Sequence, residues 1–474
     1  MVARGPRLSS HYRSRPEPVV AARVASWPMP GLLTRLDLRA ATGDLSLLLP
    51  GPAPVGEGPV KAVREIMASV KSGGDAAIVE LTRRFDGVEL SSLRVSEDEI
   101  VAAGAAVPGV LRDALEEAAR AVRQFHEAER AAHRSFEHVG QDGISTRELL
   151  VPVSRAGCYA PGGRAPLASS VLMTAIPARV AGVDEVVLCS PPGPDGHVNA
   201  AVLAAAAVAG VDEVYAIGGA QAVAAMAYGT ATVRPVEVIA GPGNLYVATA
   251  QRLVAEEGVV GVPSAFAGPS EVVVVADDSA PACYAAVDVV VQAEHGPDGL
   301  SWLVTWSEEV AAAVEEEVER LVAESPRRRE VTSTLERGGW SVLVKGPIQA
   351  IDVCNVVAPE HLELITADPE ALVPLVRSAG AVFCGPWAPA SVGDYVAGPS
   401  HVLPTARSAR FSSALGTDDF LKRVHVVSLD RAALVRVAPR VVALAEAEGL
   451  AAHALSALCR TGLPSRGVAA PSVP

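Results

Sequence analysis

The hexapeptide Ala-Gly-Val-Asp-Glu-Val occurs twice, in "AGVDEVVLCSPPG" from Ala181 and in "AGVDEVYAIGGAQ" from Ala209. Between the copies lies the Ala-rich "NAAVLAAAAVAG", a helical composition. Each copy reads as a helix end, a glycine turn, a β-branched strand and a loop carrying glycine. Strands separated by one helix cannot pair as a hairpin, so they must lie parallel and joined by crossovers. A looser third unit, "VEVIAGPGNLYVATAQRLVAEEG", continues the series. The repeat therefore demands a parallel sheet covered by helices.

The series then restarts. "EVVVVADD", "SWLVTW", "WSVLVKG" and "AVFCG" read as strands separated by helices such as "SEEVAAAVEEEVERLVAES". The expected fold is α/β, with two side-by-side, Rossmann-like, incomplete doubly wound domains at 155–270 and 271–411. Ahead of them, 31–154 reads as a helical segment that completes the second α/β domain. Its last helix is read through "VLRDALEEAARAVRQFHEAERAAHRSFEHV". A small helical region, 412–465, follows with one long helix, "ALVRVAPRVVALAEAEGLAAHALSALCR". Residues 1–30 form a basic leader expected to be disordered, as is the tail at 466–474.

Half of the 474 residues are hydrophobic, and the formal net charge is −14. That charge gives a nucleic-acid partner no electrostatic support. No apolar run reaches the length of a membrane span. The six cysteines are scattered without a CxxC pair, which suits buried free thiols in a reducing compartment. A cytoplasmic enzyme is the expectation.

Ligands of a doubly wound sheet collect at the carboxyl ends of its strands. Three loops stand there: "CYAPGGRAP" with Tyr159, "AIGGAQA" with Gln221, and "AGPGN" with Asn244 at a helix entry. Together they suggest a nucleotide, although no GxGxxG is present. In "QAEHGPDG", Gln292 and His295 are spaced to share a helix face. By spacing alone this is more often a satisfied helix end than a metal site. "GDYVAGPSHVLPT" offers Asp394 and His401, and "AEGLAAH" offers Glu448 and His453. In "VVAPEHLELIT", Glu360 and His361 sit side by side in extended chain and so project in opposite directions. The residues alone leave two readings open there: an acid–base pair, or a capping carboxylate beside a surface imidazole.

Taken in order, "YAPGGRAPLASSVLMTAIPARVAG", "GGAQA", "GPGN", "AGPSEV", "QAEHGPD", "APEHLEL", "GDYVAG", "HVLPT" and "AEGLAAH" resemble the histidinol dehydrogenase family, from about Leu32 to His453. The resemblance implies oxidation of L-histidinol through L-histidinal to L-histidine with NAD, the last steps of histidine biosynthesis. It implies a homodimer with one zinc per subunit and an active site shared between subunits. Carried over by motif, Gln292, His295, Asp394 and His453 would hold zinc, and Tyr159, Gln221 and Asn244 would contact NAD. Ser270, His401 and Glu448 would contact the substrate, which would also meet His361 and the zinc ligands. His361 would be the general base, and Glu360 would activate water for the second oxidation.

Three positions depart from the family pattern. Ser264 stands where an acid is usual, Ala390 where a glutamate often precedes "GDY", and Pro399-Ser400 where an asparagine commonly falls second. They leave open an alternative, a divergent member oxidising another small alcohol with NAD.

Overall fold

A computed structural model describes residues 31–51, 57–162, 166–263, 270–294 and 299–461. The expected leader and tail, Ser264 and His295 lie outside them. Strand β1 (Thr34–Asp37) is followed by helices α1 (Glu57–Phe85), α2 (Glu97–Ala106) and α3 (Gly109–Ala132), then by β2 (Phe136–Val139) and β3 (Ser145–Pro152). The first alternating series is β4 (Arg155–Tyr159), α4 (Ala168–Ala181), β5 (Glu185–Ser190), α5 (Ala200–Ala209), β6 (Glu213–Ala216), α6 (Gly219–Tyr228), β7 (Val238–Ala240) and α7 (Leu245–Glu256). The second begins with β8 (Glu271–Ala276), α8 (Ala282–Ala293), β9 (Leu300–Thr305), α9 (Glu308–Glu324) and α10 (Arg328–Gly338). It continues through β10 (Gly339–Leu343), α11 (Pro347–Val357), β11 (His361–Ile365), β12 (Ala381–Cys384) and α12 (Ala390–Tyr395). The chain then forms β13 (Leu421–Ser428), α13 (Arg431–Ala447) and α14 (Ala451–Thr461).

The repeated hexapeptide is a helix stop fused to a strand start. Gly182 and Gly210 end α4 and α5 at φ 96° and 75°, a left-handed conformation that glycine adopts without Cβ strain. The following valines close each end, with Val183 N–H donating to Ala178 O and Val211 N–H to Ala206 O. The repeated glutamates, Glu185 and Glu213, both pair with Arg155 at the start of β4. One sequence unit thus stops a helix, launches a strand and ties its amino end to Arg155 of β4.

Two all-parallel sheets result, a four-stranded one in the order β6-β5-β4-β7 and a six-stranded one in the order β1-β10-β9-β8-β11-β12. The β8 strand is buried at every position, as a parallel strand covered on both faces must be.

Helices α1–α3 pack elsewhere than expected. They lie on the four-stranded sheet's own helices: α1 against α6 and α7, α2 against α5, and α3 against α4. What joins the second unit is β1, paired with β10, and the segment just after it, whose Leu38, Ala41 and Leu49 enter that unit's core. The reason lies in α4–α6, which are Ala-rich and buried nearly all round, so they need a second covering layer. The amphipathic α3 supplies one with Leu115, Ala118, Ala119 and Val122.

A third sheet, β13-β3-β2, is antiparallel. It takes Phe136–Val139, which was expected to continue the preceding helix; α3 stops at Ala132 and pairing with β3 overrides helical propensity there. The expected single C-terminal helix is two helices, because Gly449 adopts φ 73° between them. Cys158, Cys189 and Cys354 are buried, but Cys283 and Cys459 are exposed. No helix among the described residues is long and apolar enough to cross a membrane.

Candidate active site

In the four-stranded sheet, β4 pairs with β5 on one side and β7 on the other, so the order reverses at β4. That reversal opens a crevice at the carboxyl ends of the strands. Tyr159 ends β4, and its hydroxyl accepts the Gly219 N–H at 3.0 Å. Burial pushes its phenol up to about 12, so it stays neutral. Gly219 has φ 64°, and a Cβ there would stand 2.8 Å from Gln221 Oε1, so the Gln221 side chain folds back over the first turn of α6. Asn244 caps α7, accepting the N–H groups of Tyr246 and Val247 at 3.0 and 3.1 Å. The Tyr159, Gln221 and Asn244 loops therefore occupy one edge of one sheet, around two helix N-termini that favour phosphate.

A second cluster forms at the amino edge of the six-stranded sheet. His361 opens β11 beside Val272 of β8 and Ala381 of β12. Helix α8 runs back from the far end of β8, so its last turn returns Gln292 to this same edge. Gln292 is fully buried, with Nε2 3.1 Å from His361 Nδ1. That ring nitrogen also lies 3.1 Å from the Glu271 carbonyl oxygen. The opposite nitrogen, Nε2, faces Asp394 Oδ1 at 3.5 Å. Glu360 turns toward the same place, with Oε2 accepting the Glu271 N–H at 3.0 Å and lying 3.6 Å from His361 Nδ1. The pair expected to diverge from an extended chain thus converges, because Glu360 precedes the strand and both side chains bond to the backbone of Glu271.

Burial raises the Glu360 carboxyl to about 7, against the opposing pull of His361 and the Glu271 N–H. Burial works against the charged form of His361, but the Glu360 and Asp394 carboxylates outweigh it and lift the imidazole to about 9. Glu271 rises to about 8 through burial and the Glu360 charge, while the Ala406 N–H and Arg407 oppose the rise. Sequence reading passed over Glu271, although it stands inside the quoted "AGPSEV".

His401 joins the two sheets. Its Nδ1–H donates to the Asp394 carbonyl at 2.9 Å, leaving Nε2 to accept from Ser170 Oγ of α4 at 3.1 Å. The carboxyl edge of the first sheet therefore meets the amino edge of the second. Ser170 was also missed; it sits in an apolar helix where only the fold shows its partner. Ser270 immediately precedes β8, next to Glu271.

Two of the expected zinc ligands, Gln292 and Asp394, thus flank His361. Helix α8 ends at Ala293, before His295. Glu448 and His453 line a different, exposed groove with Val441, Leu444, Ala445 and Leu450. Among the described residues no three His, Cys, Asp or Glu side chains gather as a metal cluster. One observation favours a cation nonetheless. Gln292 Oε1, the atom by which a glutamine ligates metal, is buried and receives no hydrogen bond from the described residues. An oxygen in that state fits a cation, and Asp394 supplies charge nearby.

Two of the departures from pattern find local roles. Ser400 Oγ donates to the Met173 carbonyl at 2.9 Å and accepts from Val402 N–H at 3.2 Å. Ala390 is buried, with its N–H donating to Glu363 at 2.8 Å.

The chain as a whole is similar to known proteins. The histidinol dehydrogenase family model matches residues 57–461. A histidinol dehydrogenase of Synechococcus sp. is 47% identical over 401 residues, covering 84% of this chain and 91% of the relative. That of Gluconobacter oxydans is 45% identical over 432 residues, covering 90% and 98%. The crystal structure of histidinol dehydrogenase from Elizabethkingia anophelis superposes with a TM-score of 0.85 at 32% identity, over 92% of this chain and 99% of that one. On family model, relatives and fold together, this chain belongs to the histidinol dehydrogenase family.

Proposed function

We propose that this oxidoreductase of histidine biosynthesis converts L-histidinol through L-histidinal to L-histidine, using NAD twice and zinc once per subunit. The convergence of Glu360, His361, Gln292 and Asp394 on one edge, facing the crevice of the other sheet across Ser170 and His401, carries the reading. In the first oxidation His361 takes the hydroxyl proton while hydride passes from the carbinol carbon to the nicotinamide, giving aldehyde and NADH. In the second, Glu360 takes a proton from water as the oxygen adds to the aldehyde carbon. Hydride then leaves the hydrated carbon for a second NAD as His361, its first proton released to solvent, takes the remaining hydroxyl proton, and the carboxylate remains. A carboxyl raised to about 7 suits this task, since a base near the working pH exchanges protons readily.

Gln292 and Asp394 would hold zinc together with His295 and His453, with the metal fixing the imidazole and amino group of the substrate and offsetting the negative charge around His361. Tyr159, Gln221 and Asn244 would contact NAD, and Ser270, His401 and Glu448 the substrate. The exposed groove carrying Glu448 and His453 supports a homodimer in which each subunit completes the other's site. The 155–270 segment would be the NAD-contacting domain, 271–411 the catalytic one and 412–465 the dimerisation region, in a cytoplasmic enzyme.

The test is NADH formation from NAD and L-histidinol, before and after chelation and after zinc is restored. Activity lost and regained in step supports the proposal; zinc-replete protein that leaves NAD unreduced sinks it. Gln292→Ala is further expected to lower zinc affinity about tenfold or more, read as metal content after dialysis. Wild-type retention in that variant would remove Gln292 from the ligand set.

A further inference from the structure

Strands β2, β3 and β13 and helices α13 and α14 form an arm. Their principal packing is with one another, and Arg436 and Arg440 fasten α13 to Asp142 in the turn between β2 and β3. The chain crosses between arm and body at three places: after α3, between β3 and β4, and at the turn Thr417–Phe420 that leads into β13. The crossings lie side by side. Val153 N–H donates to Phe420 O at 2.9 Å, and His133 Nδ1 lies 2.9 Å from Asp418 Oδ1.

At this root stands a polar cluster that the proposed chemistry does not use. His126 of α3 is fully buried, with Nδ1 2.9 Å from Glu129 Oε2. The same oxygen accepts the Thr417 N–H at 2.9 Å and the Thr417 hydroxyl at 3.0 Å. Gly416 is pressed against the other oxygen, where an added Cβ would stand 2.6 Å from Glu129 Oε1. Burial opposes the charge on Glu129, but His126 and Thr417 outweigh it and hold the carboxyl down at about 2. An ionised carboxylate gathering donors from its own helix and from a turn 288 residues away is a strong fastening.

We propose that Glu129 is a positioning residue: it fastens the root of β13 to α3 and thereby aims the arm that carries Glu448 and His453 into the partner's site. The inference rests on the shared homodimer site of the proposed function. Glu129 touches neither substrate nor cofactor and acts through the arm's direction. The arm is a lever. A strand of eight residues, the length of β13, spans roughly 27 Å, so a tilt of about 3° at its root moves its far end by about 1.4 Å. A misplacement of about 1 Å is enough to cost a hundredfold in rate. One rival route exists, because α3 also packs closely on its own subunit's site loop: a Cβ at Gly398, between Asp394 and His401, would stand 3.0 Å from Ala121 O and Phe125 Cβ. The two routes differ in which subunit suffers.

The experiment reads kcat with L-histidinol. Methionine fills the space of Glu129 without accepting a bond, and Glu129→Met should lose about a hundredfold. Glutamine still accepts from Thr417, so Glu129→Gln should lose less. The separating step is a dimer of two different chains purified through two tags. A His361→Ala chain lacks its own base but presents a sound arm; a Glu129→Met chain keeps its base but misdirects its arm. In the mixed dimer the sound base meets the sound arm at one of the two sites, giving about half the wild-type rate per dimer. If Glu129 serves only its own subunit, neither site is whole, and a mixed dimer no faster than its parents overturns the proposal. Wild-type kcat in Glu129→Met overturns it too, as does a glutamine variant as impaired as the methionine one. A mixed dimer of His361→Ala with His453→Ala is the control. Recovery there but not in the Glu129→Met mixture defeats the positioning role alone, whereas no recovery in the control defeats the shared site and the proposal with it. Gly416→Ala, whose added Cβ drives the Glu129 carboxylate off Thr417, takes the place of Glu129→Met if that chain does not fold.

Discussion

His361→Ala is expected to lower kcat with L-histidinol by about a thousandfold or more, roughly 4 kcal/mol of transition-state stabilisation, while the protein stays folded. The imidazole is the titratable group bounded by Gln292, Asp394 and Glu360, and its Nε2 is the ring atom turned away from the Glu271 carbonyl. Alanine leaves no imidazole at that point to take the hydroxyl proton. KM for NAD should not move, because the Tyr159, Gln221 and Asn244 loops belong to the other sheet. The fold should survive because the loss is one buried ring, centred 6.0 Å from the Phe383 ring. A cavity of that kind costs about 2–3 kcal/mol, which a chain with cores this extensive absorbs. Turnover within tenfold of wild type would remove His361 from the role of base.

The second large effect is structural and falls at the crevice of the four-stranded sheet. Gly241 adopts φ 126°, and a Cβ there would lie 2.2 Å from the Tyr159 carbonyl oxygen and 3.0 Å from its nitrogen. Those are backbone atoms in the paired strand, since Cys158 stands opposite Ala240. No rotamer relieves the clash, so β4 and β7 must separate. Gly241→Ala is expected to cost about 4 kcal/mol or more, lowering the melting temperature by about 10 °C and weakening NAD binding as Tyr159 moves off Gly219. Gly258 is the control. Its φ is 69° and an added Cβ meets nothing within 4 Å, so Gly258→Ala should cost only about 1–2 kcal/mol. Equal melting temperatures for the two variants would refute the packing argument at Gly241.

What could be read from the chain follows from how local each signal is. The repeated hexapeptide encodes its turn and strand start within a few residues, so parallel architecture was legible at once. Tyr159, Gln221 and Asn244 were legible too, since glycine loops after strands fall at the carboxyl edge by geometry. The packing of α1–α3 was not. An amphipathic helix announces that it has a partner but not which one, and the need of α4–α6 for a second layer shows only after assembly. Strand β13 pairs with β3 across the chain, and β2, β3 and β13 mostly face outward, so they lack the apolar alternation that marks a buried strand. Glu271 and Ser170 escaped for a related reason. Each works through a partner distant in sequence, and a single glutamate or serine in an apolar run carries no spacing signal.

The central claim is that one site carries out both oxidations. Its most direct test is the NADH formed when L-histidinol is limiting, NAD is in excess and the zinc-replete protein runs to completion. Two equivalents of NADH per histidinol, with L-histidine as product, are predicted. One equivalent with free aldehyde accumulating, or no NADH from a protein that retains its zinc, would contradict the account.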